Sequence, residues 1–130
     1  MKRVYIAHAL SGDWRGGVLA AKAYAFAAAK AGHLPVAPYV LMDGILDDTD
    51  PEERALGMRL DIDQLRACDE IWLCGERLSP GMLAELDVAV ECGLTVMRLA
   101  RVPEGTDVAR ADAPSPLRAE GAPSEGARVG

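Results

Sequence analysis

The sequence predicts an α/β domain on a parallel sheet of four to five strands flanked by helices, and three observations carry that expectation. Short apolar runs alternate with stretches of helical periodicity over the first hundred residues. Half of the residues are apolar but only 5% are aromatic, and the Ala-rich run from Ala20 to Ala31 suits closely packed helices. A chain of 130 residues buries roughly two-thirds of its unfolded surface, enough to fold without disulfides or metals.

Val4 to Ala7 is an apolar run of the kind that forms a strand buried on both faces, and it stops at the polar, Gly-containing stretch from His8 to Gly17. A helix follows from about Gly17 to Ala31, with Leu19, Ala23, Phe26 and Ala27 at helical spacing and Gly32 as its C-terminal stop. Leu34 to Val36 is the second strand, closed by Pro38, and an acidic loop runs from Tyr39 to Asp50. Asp50-Pro51-Glu52-Glu53 reads as an N-cap, a first-turn Pro and two first-turn acids, which predicts a helix to about Cys68. Glu70 to Cys74 is the third strand, Pro80 to Cys92 a helix capped by Ser79, and Leu94 to Leu99 the fourth strand. This order implies right-handed crossovers and a parallel sheet. From Arg101 onward Pro, Gly and Ala make up 14 of 30 residues, too little apolar material to offset ordering entropy. The expectation is one domain over residues 1–100 and a disordered tail over 101–130.

The formal net charge is −6, with 20 acidic residues against 14 basic, ten of the acids lying between Asp43 and Glu70. That balance argues against binding to nucleic-acid polymers or anionic membranes. Cys68, Cys74 and Cys92 show neither CxxC spacing nor a His partner, so no metal site is expected and the thiols read as reduced. No apolar run reaches the length of about 18 that a membrane span requires, and a cytoplasmic location is expected.

Two constellations can carry chemistry. In the loop from His8 to Gly17, the residues Ser11, Gly12, Arg15, Gly16 and Gly17 place a hydroxyl, a guanidinium and approachable amides at a helix N-terminus. Such a set suits an anionic group such as phosphate, and equally describes a flexible loop with an exposed Arg. The second is acidic: Asp61, Asp63, Asp69, Glu70, Glu85 and Asp87. Glu85, six residues after Ser79, comes back over the crevice at the end of the third strand. There the helix dipole would keep it ionised as a nucleophile. Asp61 and Asp69 are eight apart and share a side if the helix continues. A carboxylate pair across a sugar ring is the arrangement of glycosyl transfer. Tyr5 is either a core side chain or the group that orients Glu85. Trp72 reads as core, while Trp14 can stack on a base or shield its loop.

Several separated motifs then suggest a family. Val4-Tyr5-Ile6-Ala7-His8, Gly32-His33, Val36-Ala37-Pro38-Tyr39, Cys68-Asp69-Glu70-Ile71-Trp72 with Gly75, and Ser79-x-Gly81-Met82-x-x-Glu85 arrive in the order found in the nucleoside 2-deoxyribosyltransferase-like superfamily. The chain resembles its short bacterial and phage members over about Lys2 to Leu99. The resemblance implies Glu85 as the nucleophile at C1′, Asp61 as the residue that contacts or protonates the departing base, and Tyr5 as the hydrogen-bond partner of the nucleophile. It implies substrate contacts from His8, Asp69, Ser79, Gly81 and Met82. It also implies that a loop like Ser11 to Gly17, with Ser79, holds a 5′-phosphate.

The expectation is therefore a flavodoxin- or Rossmann-like domain that cleaves or exchanges the N-glycosidic bond of a nucleoside or nucleoside 5′-monophosphate, without a cofactor and as a homo-oligomer. The turn before Glu85 carries Leu83-Ala84 where the family has a second Gly. That departure motivates the alternative, a non-catalytic nucleotide-binding or sensing module of the same fold. A scaffold whose apolar helices serve oligomerisation is a third reading.

Overall fold

Among the described residues, four parallel strands and four helices follow one another as β1 (Arg3–Ala7), α1 (Trp14–Lys30), β2 (Leu34–Val36), α2 (Pro38–Met42), α3 (Pro51–Arg66), β3 (Glu70–Cys74), α4 (Pro80–Glu91) and β4 (Thr95–Leu99). The computed structural model describes residues 1–10 and 12–103. The expected disorder of the tail falls almost wholly outside the described residues, and so does Ser11.

The sheet order is β2-β1-β3-β4. The chain moves one way from β1 to β2 and the other way from β3 to β4, so right-handed connections put α1 on one face and α3 and α4 on the other. β1 and β3 pair in the middle, Tyr5 opposite Ile71 and Ile6 opposite Trp72. Every residue of β3 is buried, and Trp72 and Tyr5 are the bulkiest of the fully buried side chains. Strands covered on both faces are apolar without alternation, which is why these two runs were readable. The topological switch lies between the carboxyl ends of β1 and β3, the place where such sheets bind ligands.

Helix ends follow the expected chemistry. Asp50 accepts from the Glu52 and Glu53 amides, and Ser79 Oγ accepts from the Met82 amide at 3.2 Å. Gly32, just past α1, has φ +90°, a conformation that strongly favours glycine.

Three expectations are corrected. α1 begins at Trp14, because the Asp13 carboxylate accepts from the Gly16 amide at 3.0 Å and draws the end of the polar loop into the first turn. Its buried face is Val18, Ala21, Tyr24, Ala27 and Ala28, while Leu19 and Phe26 are 60% and 64% exposed. Small residues let the helix approach the sheet closely, and the larger side chains fall on the outer face. The stretch after β2 is not all loop, since Pro38, pre-set for a first helical position, opens α2 and buries Tyr39.

Candidate functional site

The alternation of β1 sends Tyr5 toward the face covered by α3 and α4, where its hydroxyl donates to Glu85 Oε2 at 2.6 Å. Tyr39 of α2 packs beside it, ring centroids 6.5 Å apart, with its own hydroxyl bonded to the Ile6 carbonyl. Glu85 sits in the second turn of α4, and Asp61 lies on α3. Glu85 and Asp61 line one cavity of about 460 Å³ together with His8, Trp14 and Tyr39. The Tyr5 hydroxyl reaches this wall from beneath.

Burial dominates the electrostatics. It raises the Glu85 carboxyl to about 7, with Asp61 adding to the rise and the Tyr5 hydrogen bond opposing it. Burial likewise raises Asp61 to about 6. The expectation of a firmly ionised Glu85 is corrected: desolvation outweighs the helix dipole, which acts mainly within the first turn. Tyr5 and Tyr39 are held well above the ordinary phenol range, first by burial and then by Glu85, so both stay protonated donors. The pair of carboxyls therefore titrates near neutrality, where one can be ionised while the other carries a proton.

The remaining expected residues divide. Ser79, Gly81 and Met82 line the main cavity at the start of α4. Ser79 is buried and its oxygen serves as the helix cap. His8 borders the main cavity and also a second one of about 420 Å³, in which Gly16 and Gly17 face Glu76 and Arg77. The His8 ring bonds the Ala9 carbonyl through Nδ1 at 2.9 Å. Gly75, at φ +88°, leaves room for that ring, since a Cβ there would stand 2.8 Å from His8 Nε2.

Three expected contacts lie elsewhere. Asp69 accepts from the Arg3 amide at 2.8 Å before β3 begins, at the opposite end of the sheet from the cavity, because α3 stops at Arg66 and does not carry it round to Asp61's side. Arg15 is exposed on the first turn of α1 and lines neither cavity, nor does Gly12. The Gly16 amide, expected to meet a phosphate, is bonded to Asp13. The cation that does line the main cavity is Arg54, paired with Asp48 at 3.3 Å. Its place seven residues before Asp61, two turns along one helix face, was the available signal for it. Trp14 lines the cavity and donates from Nε1 to Asp43 at 2.8 Å.

The family described as Domain of unknown function (DUF7768) matches residues 2–99. The chain belongs to that family. No curated protein matches this DUF7768 domain in sequence. Among solved structures it is similar to a 2-deoxyribosyltransferase from the psychrotolerant bacterium Bacillus psychrosaccharolyticus, with a TM-score of 0.60 and 17% identity over 76% of this chain and 73% of that one. That likeness establishes the shared parallel α/β fold. No helix among the described residues is long and apolar enough to cross a membrane, and none of their His, Cys, Asp and Glu side chains form a group able to hold a metal ion.

Proposed function

We propose that this domain cleaves or exchanges the N-glycosidic bond of a nucleoside through a covalent intermediate on Glu85. The observation that carries the reading is the Tyr5–Glu85 hydrogen bond beside a second carboxyl, Asp61, in a cavity at the switch point. Likeness of fold to a deoxyribosyltransferase supports the same direction.

In the first step a Glu85 carboxylate oxygen attacks C1′. The bond from C1′ to the base nitrogen breaks with its electron pair going to the base, and Asp61 in its acid form protonates the base. In the second, water or an acceptor base attacks C1′, Glu85 leaves as carboxylate, and Asp61 takes the attacking group's proton. Tyr5 orients Glu85 and favours its charged form. A nucleoside is favoured over its 5′-monophosphate by charge: the main cavity sets Asp48, Glu53, Asp61 and Glu85 against Arg54, and Asp13 already occupies the Gly16 amide.

The test is base release from a nucleoside panel, followed by chromatography, with and without an acceptor base. Wild-type protein releases base and Glu85→Gln does not. Equal release by both proteins refutes the covalent role of Glu85. Ligand-induced stabilisation with no free base from either favours the binding-module reading.

A further inference from the structure

Along α3 the main cavity is lined by Glu53, Arg54, Gly57, Met58, Asp61 and Ile62, of which Arg54, Gly57, Met58 and Asp61 form the central stripe of one helix face. Arg54 and Asp61 stand about 10 Å apart by helical rise. Gly57, between them, is not demanded by packing: a Cβ there would meet only Leu46 Cδ1, at an ordinary 3.5 Å. A glycine inside a helix is destabilising, and here it leaves the backbone bare where a flat ring can lie. Trp14 offers the same cavity an indole whose N–H is already bonded to Asp43.

We infer that Arg54 reads the base and that the base is a 6-oxopurine, guanine or hypoxanthine. The inference rests on the proposed function, which puts the sugar at Glu85 and the near edge of the base at Asp61. The far edge of the base then points along the stripe to Arg54. A single pyrimidine ring is too short to bridge that span, whereas the fused rings of a purine approach it. A guanidinium has only donors, so it requires acceptors. O6 and N7 of an oxopurine are two adjacent acceptors that match its fork, while adenine presents an amino donor beside N7. Asp48, at 3.3 Å, anchors the guanidinium through Nη1 and leaves other N–H groups to reach the base. N3, on the other side of the purine, is left for Asp61 to protonate.

The experiment compares kcat/KM for base release from 2′-deoxyguanosine, 2′-deoxyinosine, 2′-deoxyadenosine and thymidine. The wild-type protein favours the first two over 2′-deoxyadenosine by about ten- to a hundredfold. Arg54→Gln reverses that order, because a carboxamide can donate to N7 and accept from the adenine amino group; a merely structural Arg54 would scale all substrates alike. Thermal shifts of the wild-type protein with guanosine, inosine and adenosine keep the test independent of the variant, and guanosine and inosine give the larger shifts. Base release or stabilisation without this order overturns the inference and leaves the role of Glu85 standing. An order that Arg54→Gln leaves unchanged overturns the assignment to Arg54. Failure of every nucleoside to release base or stabilise the protein removes the proposed function, and this inference with it.

Discussion

Tyr5 and Glu85, eighty residues apart in sequence, share a 2.6 Å hydrogen bond that ties the central strand to the start of α4. Its phenol is fully buried, and its partner is a carboxyl raised by burial to about 7. A core designed only for stability would satisfy a buried tyrosine with a neutral acceptor, as Tyr39 does with the Ile6 carbonyl. Placing a desolvated carboxyl there instead puts a stability cost at the switch point.

Glu85→Gln should therefore stabilise the protein while removing base release. The folded-state value near 7 exceeds the ordinary 4.5, so ionising Glu85 opposes folding. That penalty is absent below pH 4.5, grows between 4.5 and 7, and is complete above 7. Discounted for the solvent that reaches a half-buried carboxyl, it amounts to about 2 kcal/mol. Thermal melts of wild type and variant should diverge at pH 8 and converge at pH 4, and kcat/KM should fall on the order of 10⁴-fold. A variant less stable than wild type at pH 8 contradicts the account.

The pH dependence of kcat/KM should be a narrow bell with its maximum between pH 6 and 7. The proposed mechanism requires Glu85 ionised and Asp61 protonated, and because the two carboxyls are raised to about 7 and about 6 this is the minor singly protonated form. The first proton lost from the pair creates the active form and gives the rising limb, the second destroys it and gives the falling limb, and both limbs belong to the pair as a unit. A plateau extending past pH 9 contradicts the assignment of Asp61 as the acid.

Tyr5→Phe should lower kcat/KM by about ten- to a hundredfold, the worth of one hydrogen bond to a charged group. Because the phenol favours ionised Glu85, whose value is the higher of the two, its loss should also move the falling limb toward alkaline pH. A fall in rate with that limb unmoved would mean that Tyr5 only packs.

Much of this was legible in the sequence because each signal was local. Asp50-Pro51 and Ser79-Pro80 announce helix starts through their own side chains, and β1 and β3 announce themselves as unbroken apolar runs. The trio of Tyr5, Asp61 and Glu85 was reachable through the order of the separated motifs and the position of Glu85 after Ser79, whereas helical period alone grouped Asp61 with Asp69. What was not legible depended on tertiary choices. Nothing in the run of alanines says that α1 buries Ala21 and Ala28 and leaves Phe26 outside. Asp69 could not be told from a site acid without knowing that α3 ends at Arg66. The Asp13 cap silences the Gly16 amide, which a count of glycines does not reveal.

Gly75→Ala should destabilise the fold and disturb the site together. Its φ of +88° is strained for alanine, and the new methyl would stand 2.8 Å from His8 Nε2. The cost should be about 1–3 kcal/mol in denaturant melts. Because His8 borders both cavities, KM for the nucleoside should rise as well. Unchanged stability would show that the β3 end relaxes freely.

Asp61→Asn tests the division of labour between the carboxyls. If Asp61 delivers the proton that lets the base leave, the variant should lose about 10²- to 10⁴-fold in kcat/KM on an ordinary purine nucleoside. A p-nitrophenyl 2-deoxyriboside releases a resonance-stabilised phenolate and so loses its leaving group without that proton. On this substrate Asp61→Asn should approach the wild-type rate, whereas Glu85→Gln should stay inactive because the attack on C1′ is still missing. The variant should also lose the falling limb of the pH profile, since no proton remains to be lost from that position. An equal deficit on both substrates would mean that Asp61 acts by holding the leaving group in place, and proton delivery would have to come from water.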